Sequence, residues 1–169
     1  MRVLGIDPGT AIIGYGVVDD GRPGPKLIEC GVLRTLPRSP LAQRLRIIHD
    51  GINELIALHH PDVLAIEGIF YAKNARTTMV LGHARGVILL SAENAGIAIA
   101  EYPPAVVKKT VVGRGGAMKQ QVGYMCAQLL RLKTAPTPAD AADGVALALT
   151  HLLLAKDPRI RAARALGGR

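Results

Sequence analysis

Three apolar runs fill the first 34 residues, and the connections between them are too short to hold helices. The runs predict strands over 1–7, 12–19 and 27–33. The connections at 8–11 and 20–26 contain glycine and proline, which favours tight turns between antiparallel strands. The chain therefore begins with a three-stranded meander, and the helices that cover this sheet must come from the later sequence.

The apolar spacing changes after the third strand. A stripe with the period of a helix runs from Leu41 to Leu55, and Ser39-Pro40 predicts its N-cap and first turn. The other predicted elements are strands over 62–67 and 97–102 and helices over 74–94, 103–110, 118–132 and 137–156, with Gly96 ending the second helix. Strands followed by alternating helices predict an α/β fold with a mixed five-stranded sheet flanked by helices.

Size and charge narrow the class of protein. The chain has 169 residues, the size of one domain, and a net charge of +8 with a pI near 9.9. A basic surface attracts polyanions, so nucleic acid is the first partner to consider, and a basic protein without such a partner is the alternative.

The sequence also predicts a cytoplasmic location. No apolar run reaches the ~20 residues that a membrane span requires. Asp7 interrupts the short N-terminal apolar stretch, so no signal peptide is predicted. Cys30 and Cys126 lack metal-ligand spacing, and we interpret them as reduced thiols.

Four carboxylates are predicted to converge at one edge of the sheet. Asp7 and Glu67 each end an apolar strand, and ligands of α/β sheets bind beyond the carboxyl ends of the strands. Asp140 and Asp143 lie three residues apart at the start of the last helix, so they share a face. The residues around them are mostly alanine and glycine, which allows this helix to approach the sheet closely.

Carboxylates gathered at one point repel each other unless cations neutralise them. Hard divalent cations with oxygen ligands suit such a cluster, and Mg²⁺ is the usual one. Two such ions can bridge a phosphate, one activating water and one stabilising the leaving oxygen. Taken singly, a strand-ending aspartate is equally typical of a turn, and an Asp-x-x-Asp pair of helix capping. The combination in a basic protein favours a metal site.

Five motifs in order carry a family resemblance: GIDPGT, IEGIFYAKN, LGHARG, VKKTVVGRGGAMK and DAADGVALALTH. Together they resemble the RuvC Holliday-junction resolvases over about residues 1–155. The resemblance implies a ribonuclease H-like fold, a homodimer and symmetric cleavage of four-way DNA junctions in recombination and repair. It implies Mg²⁺, with Mn²⁺ as a substitute, and assigns the metal-binding and catalytic roles to Asp7, Glu67, Asp140 and Asp143. Branch-migration motor proteins of the RuvA and RuvB type are the partners it implies.

The same resemblance indicates residues for DNA contact. Phe70 is implied as a wedge at the junction centre, because an aromatic ring stacks on unpaired bases. Lys108 and Lys119 are implied near the scissile phosphate. The full predicted set of DNA-binding residues is Phe70, Tyr71, Lys73, Arg76, Lys108, Lys109, Arg114 and Lys119. One departure is Gly68, where the family often has glutamine, and it bears on local junction contacts rather than on the metal ligands.

Three further features concern organisation. Residues 1–156 are predicted to form the nuclease domain, and 157–169 a basic, flexible tail. Gly82 and Gly86 form a G-x-x-x-G pattern, which indicates close packing of that helix against the sheet or a partner. The five histidines have no paired ligand spacing and receive no role.

Other functions stay open at this point. GIDPGT also resembles the first phosphate loop of sugar kinases and actin-like ATPases, although a second loop and a second domain are missing. A non-catalytic junction-binding module would not need all four acids. A ribonuclease H-like enzyme acting on another substrate, such as an RNA hybrid, would retain them.

Overall fold

The computed structural model describes residues 1–68 and 75–156, and of Ala75 and Arg76 only the backbone. The strands are β1 Arg2–Asp7, β2 Ile12–Asp19, β3 Lys26–Arg34, β4 Val63–Glu67 and β5 Ala98–Tyr102. The helices are α1 Leu41–His59, α2 Ala75–Asn94, α3 Pro104–Val112, α4 Lys119–Leu130 and α5 Ala139–Lys156. Each predicted strand and helix is confirmed, with boundaries that differ by a few residues.

The sheet has the strand order β3-β2-β1-β4-β5. The meander is antiparallel, as its short turns require, and β4 and β5 run parallel to β1. The helical connections before β4 and β5 make these parallel pairings possible. The predicted mixed five-stranded α/β sheet is thus confirmed, with β1 at its centre.

Alternation along the strands separates the core into two layers. Leu4 and Ile6 of β1 point to one face, where residues from α1 and α2 cover them. Val3 of β1 and Ala65 of β4 point to the other face, with residues from α3, α4 and α5. Because side chains alternate with a period of two along a strand, the side chains of Asp7 and Glu67 point to the same face as Val3 and Ala65. The two strand-ending acids therefore face the helix that carries Asp140 and Asp143.

The helix ends confirm one predicted signal and correct another. Gly96 has a φ of 67°, and its N–H donates to the Glu93 carbonyl, so it ends α2 as predicted. The predicted N-cap of α1 is wrong. Pro40 holds that position, because its carbonyl accepts the first helical hydrogen bond from Arg44, while Ser39 closes a turn onto Leu36. No described helix has the length and apolar character needed to cross a membrane.

Candidate metal centre

Parallel pairing places Asp7 and Glu67 at the same edge of the sheet. Ile6 of β1 pairs with Ile66 of β4. The next residues, Asp7 and Glu67, therefore end their strands side by side. Both acids lie beyond the apolar core and are half-buried. The sequence-based expectation that these two side chains converge is met by this geometry.

Close approach of α5 brings the other two acids to that edge. A Cβ added to Gly14 of β2 would overlap the carbonyl oxygen of Asp140. A Cβ added to Gly144 of α5 would lie 2.5 Å from the Cα of Tyr15. Glycine on both surfaces therefore lets the backbone of α5 rest almost directly on β2, closer than any side chain permits.

Three carboxylates form a compact group at this point. Carboxylate oxygens of Asp7, Asp140 and Asp143 all lie within 4.8 Å of one another. Glu67 is outside this trio but lines the same cavity as Asp7 and Asp143. The cavity has a volume of about 230 Å³, and its other lining residues are Pro104, Val107, Lys108, Lys119, Val122, Ala146 and Leu147.

Burial and mutual repulsion perturb these acids. Burial, followed by the charges of Glu67 and Asp143, raises the pKa of Asp7 to about 7. The pKa of Glu67 is raised by burial and by Asp143, and a hydrogen bond with Asp7 opposes the rise. Burial also raises the pKa of Asp143, against the opposing effect of Lys119. The group thus holds more negative charge than its surroundings stabilise.

Lys119 supplies part of the missing positive charge. Its Nζ lies 2.5 Å from Oδ2 of Asp143 and 3.3 Å from Oδ1 of Asp140. Hydrogen bonding to Asp143 raises the pKa of Lys119, so its ammonium is the form that these carboxylates favour. A single ammonium contacts only two of the four acids, which leaves Asp7 and Glu67 to other cations.

The donor set fits a hard divalent cation. Carboxylate oxygens are the ligands that Mg²⁺ and Mn²⁺ prefer, and the trio offers three of them from two rigid elements, β1 and α5. Glu67 adds a fourth carboxylate on the adjacent strand. Each acid lies at the end of a strand or in the first two turns of a helix, which limits the freedom of the ligands.

The acids predict a pH dependence of stability. Between about pH 4, where a free aspartate titrates, and about pH 7, the folded protein keeps a proton on Asp7 that the unfolded chain has released. The free energy of unfolding should therefore fall as pH rises through this window. Urea denaturation in EDTA measures it, and Asp7→Asn should show a shallower fall. Identical slopes for both proteins would contradict the assignment.

The predicted DNA-binding residues occupy different places. Lys108 and Lys119 line the cavity. Lys109, in the last turn of α3, and Arg114, just after it, are exposed outside the cavity lining. Phe70, Tyr71 and Lys73 lie outside the described residues, and for Arg76 only the backbone, in the first turn of α2, is described.

Sequence reasoning missed two side chains that anchor this edge. Buried His151 of α5 shares a 2.8 Å hydrogen bond with the hydroxyl of Tyr102, the last residue of β5. Arg85 of α2, also buried, donates to the main-chain carbonyl of Glu67. Its signal in the sequence is a charge at a core position of the helix, three residues before Ile88 and seven before Ala92.

A family model described as crossover junction endodeoxyribonuclease RuvC matches residues 3–151. The chain belongs to the RuvC family. The RuvC of Halorhodospira halophila is 51% identical over 150 residues, which cover 89% of each chain. The RuvC of Pelotomaculum thermopropionicum is 44% identical over 151 residues, covering 89% of this chain and 92% of the relative.

Solved RuvC structures match the whole architecture. The Thermus thermophilus RuvC structure has a TM-score of 0.84 at 35% identity, and the match covers 92% of this chain and 96% of that one. The T. thermophilus RuvC in complex with Holliday junction substrate has a TM-score of 0.85 at 32% identity, with 94% and 97% covered. The predicted ribonuclease H-like fold is confirmed by these matches, and the kinase-like alternative loses its support.

RuvC membership implies use of a divalent metal, which agrees with the acidic group at the sheet edge. The departure from the family at Gly68 leaves this edge intact. The Gly68 N–H donates to the Tyr102 carbonyl at 2.9 Å, and a Cβ there would meet Tyr102 at an ordinary 3.6 Å. The backbone at position 68 has room for a side chain. The glycine therefore changes the surface next to β4 but not the course of the strand.

Proposed function

We propose that this chain is a Holliday-junction resolvase that acts in homologous recombination and DNA repair. It is a structure-selective DNA endonuclease that cuts four-way junctions symmetrically by metal-dependent phosphodiester hydrolysis. The observation that carries this proposal is the group of Asp7, Asp140 and Asp143 at the sheet edge of a RuvC fold. The T. thermophilus relative with its Holliday junction substrate supports the choice of DNA.

The cofactor of this proposal is Mg²⁺, with Mn²⁺ as a substitute and two ions in each site. Bound ions of this kind lower the pKa of an attacking water and stabilise charge on the leaving oxygen. Asp7, Asp140, Asp143 and Glu67 would hold the ions: the first three offer carboxylate oxygens within 4.8 Å of one another, and Glu67 lines the same cavity as Asp7 and Asp143.

The reaction adds water across one phosphodiester bond. The water oxygen bonds to phosphorus, and the bond from phosphorus to the 3′ oxygen breaks. The products are a 5′-phosphate and a 3′-hydroxyl, and the leaving oxygen takes up a proton. Glu67, on the cavity wall, orients the water, while Lys108 and Lys119 neutralise the scissile phosphate at the same opening.

DNA binding extends outward from this cavity. Lys109 and Arg114 are exposed next to the wall that carries Lys108, where phosphate contacts would fix the register of the DNA strand. Phe70 acts as a wedge that stacks on an unpaired base, with Tyr71, Lys73 and Arg76 as neighbouring contacts. Their closeness to Glu67 in the sequence supports this assignment.

A homodimer completes the proposal, since two sites match the twofold symmetry of a junction. The outward face of α2 supports it. A Cβ at Gly82 or Gly86 would meet nothing within 4 Å in the described part of the chain, while Met79 and Leu90 beside them are 65% and 55% exposed. A second copy could therefore approach this helix closely. Sedimentation at micromolar concentration tests this, and a monomer would contradict it.

The remaining parts of the proposal follow from the substrate. Residues 1–156 are the proposed nuclease domain, and the predicted basic tail, 157–169, lies outside the described residues. Branch-migration motor proteins of the RuvA and RuvB type present the junction, and the enzyme works in the cytoplasm. These assignments rest on membership of the RuvC family.

The deciding experiment compares a synthetic four-way junction with a linear duplex of matching sequence, in Mg²⁺. We expect the protein to nick opposite arms of the junction in pairs and to leave the duplex intact. Asp143→Asn should reduce nicking below detection, because it removes a carboxylate from the trio. Equal cutting of the duplex would leave a metal-dependent nuclease without junction selectivity. Binding without nicking in Mg²⁺ or Mn²⁺ would favour the non-catalytic module.

A further inference from the structure

Arg85 occupies an unusual place for a charged side chain. It lies on the inward face of α2, between the buried residues Ala84 and Ile88, and only 3% of it is exposed. One guanidinium nitrogen donates to the main-chain carbonyl of Glu67. Another lies 2.5 Å from Oε2 of Glu101 on β5. Arg85 thus joins α2 to the ends of two neighbouring strands.

Neutralisation of Glu101 does not explain this burial. The side chain of Glu101 is 56% exposed, so water already stabilises its carboxylate. Burying a guanidinium carries a desolvation cost that one half-exposed partner offsets only in part. The contact that requires an inward arginine is the one with Glu67, whose carbonyl lies at the end of β4.

Geometry explains why arginine suits this position. Glu101 of β5 pairs with Ile66 of β4, the residue before Glu67, so its carboxylate and the Glu67 carbonyl belong to adjacent strands near the same edge of the sheet. The planar guanidinium presents several N–H groups in a fixed fork, which reaches both acceptors at once. A lysine ammonium on a flexible stem would satisfy one acceptor at a time.

We propose that Arg85 is a positioning residue that fixes the main chain at Glu67 and so directs the Glu67 carboxylate into the cavity. This inference rests on the proposed function, in which Glu67 orients the attacking water. Without Arg85, the peptide unit between Glu67 and Gly68 would be held only by its N–H bond to the Tyr102 carbonyl, which leaves the Glu67 carboxylate more freedom to turn away from the cavity. A displacement of about 1 Å at a catalytic group can cost on the order of a hundredfold in rate.

The test measures junction nicking by Arg85→Gln and by a matched control, Glu101→Gln. The control removes the ion pair but keeps the bond from Arg85 to the Glu67 carbonyl. For Arg85→Gln we expect kcat to fall about 10- to 100-fold with KM for the junction unchanged. For Glu101→Gln we expect kcat within about threefold of the parent protein, because the carbonyl is still held.

The outcomes separate positioning from general stability. Equal kcat losses for both variants would overturn the proposal, as would a parent-like kcat for Arg85→Gln or a change in KM alone. If the circular dichroism spectrum shows that Arg85→Gln is unfolded, the kcat of Arg85→Lys is measured instead. A folded Arg85→Lys protein with reduced kcat supports positioning, and one with unchanged kcat overturns it. Failure of the parent protein to cut junctions would instead defeat the proposed function itself.

Discussion

Replacing Asp7 by Asn is expected to abolish junction cleavage while leaving junction binding intact. The carboxylate lies in the trio with Asp140 and Asp143, at the end of the central strand. An amide keeps the shape of the side chain but loses the charge that holds a divalent cation. Loss of an outer-shell partner typically costs about 10–100-fold in metal affinity or activity, and loss of a direct ligand should exceed that.

Binding should survive because the substitution removes a negative charge from a surface that meets phosphates. Junction affinity, measured by gel shift in Ca²⁺ or EDTA, should equal or exceed that of the parent protein. Asp50→Asn is a matched control, since it makes the same charge change at an exposed position on α1. Cleavage by Asp7→Asn at the rate of this control would refute the metal-site assignment.

Gly14→Ala is expected to destabilise the fold and disable the site together. The added Cβ would overlap the carbonyl oxygen of Asp140, which belongs to the main chain of α5 and cannot rotate away. Overpacking usually costs about 1–3 kcal/mol, and a contact with backbone belongs at the upper end of that range. The start of α5 must then shift, and it carries Asp140 and Asp143.

Urea denaturation measures the stability part of this prediction, and metal titration of the folded variant measures the site. Gly24→Ala is the control, because a Cβ there would meet nothing within 4 Å. We expect the control to unfold and bind metal like the parent protein. Gly14→Ala with parent-like stability and metal affinity would show that α5 does not depend on this close approach.

The strand-ending acids were predictable because their signal is local. An apolar run that stops at a carboxylate identifies Asp7 and Glu67, and the spacing of Asp140 and Asp143 puts both on one helix face. The parallel pairing of β1 with β4 then brings the first two together. What the pattern could not give was the finer geometry, in which three carboxylates form a group and Glu67 stands beside it.

Long-range contacts account for the parts that the sequence did not predict. The sequence shows that Gly14 is a glycine within a predicted strand. It does not show that this glycine contacts the main chain of Asp140 on α5, more than a hundred residues away. Arg85 stands at a core position of the α2 pattern, but its partners Glu67 and Glu101 depend on how α2 packs on the sheet. Ser39 was misjudged for a related reason, because a proline in extended conformation took the capping position itself. Periodicity assigns elements and faces, whereas contacts between elements depend on the assembled fold.

The contact between α5 and the meander has a consequence for the protein during its synthesis. Asp7 leaves the ribosome among the first residues, and Asp140 and Asp143 follow only with the last helix of the domain. A nascent chain that has not yet reached α5 holds the first two acids without the pair that completes the group. An unfinished chain therefore lacks two of the four proposed metal ligands, Asp140 and Asp143, until α5 has been synthesised.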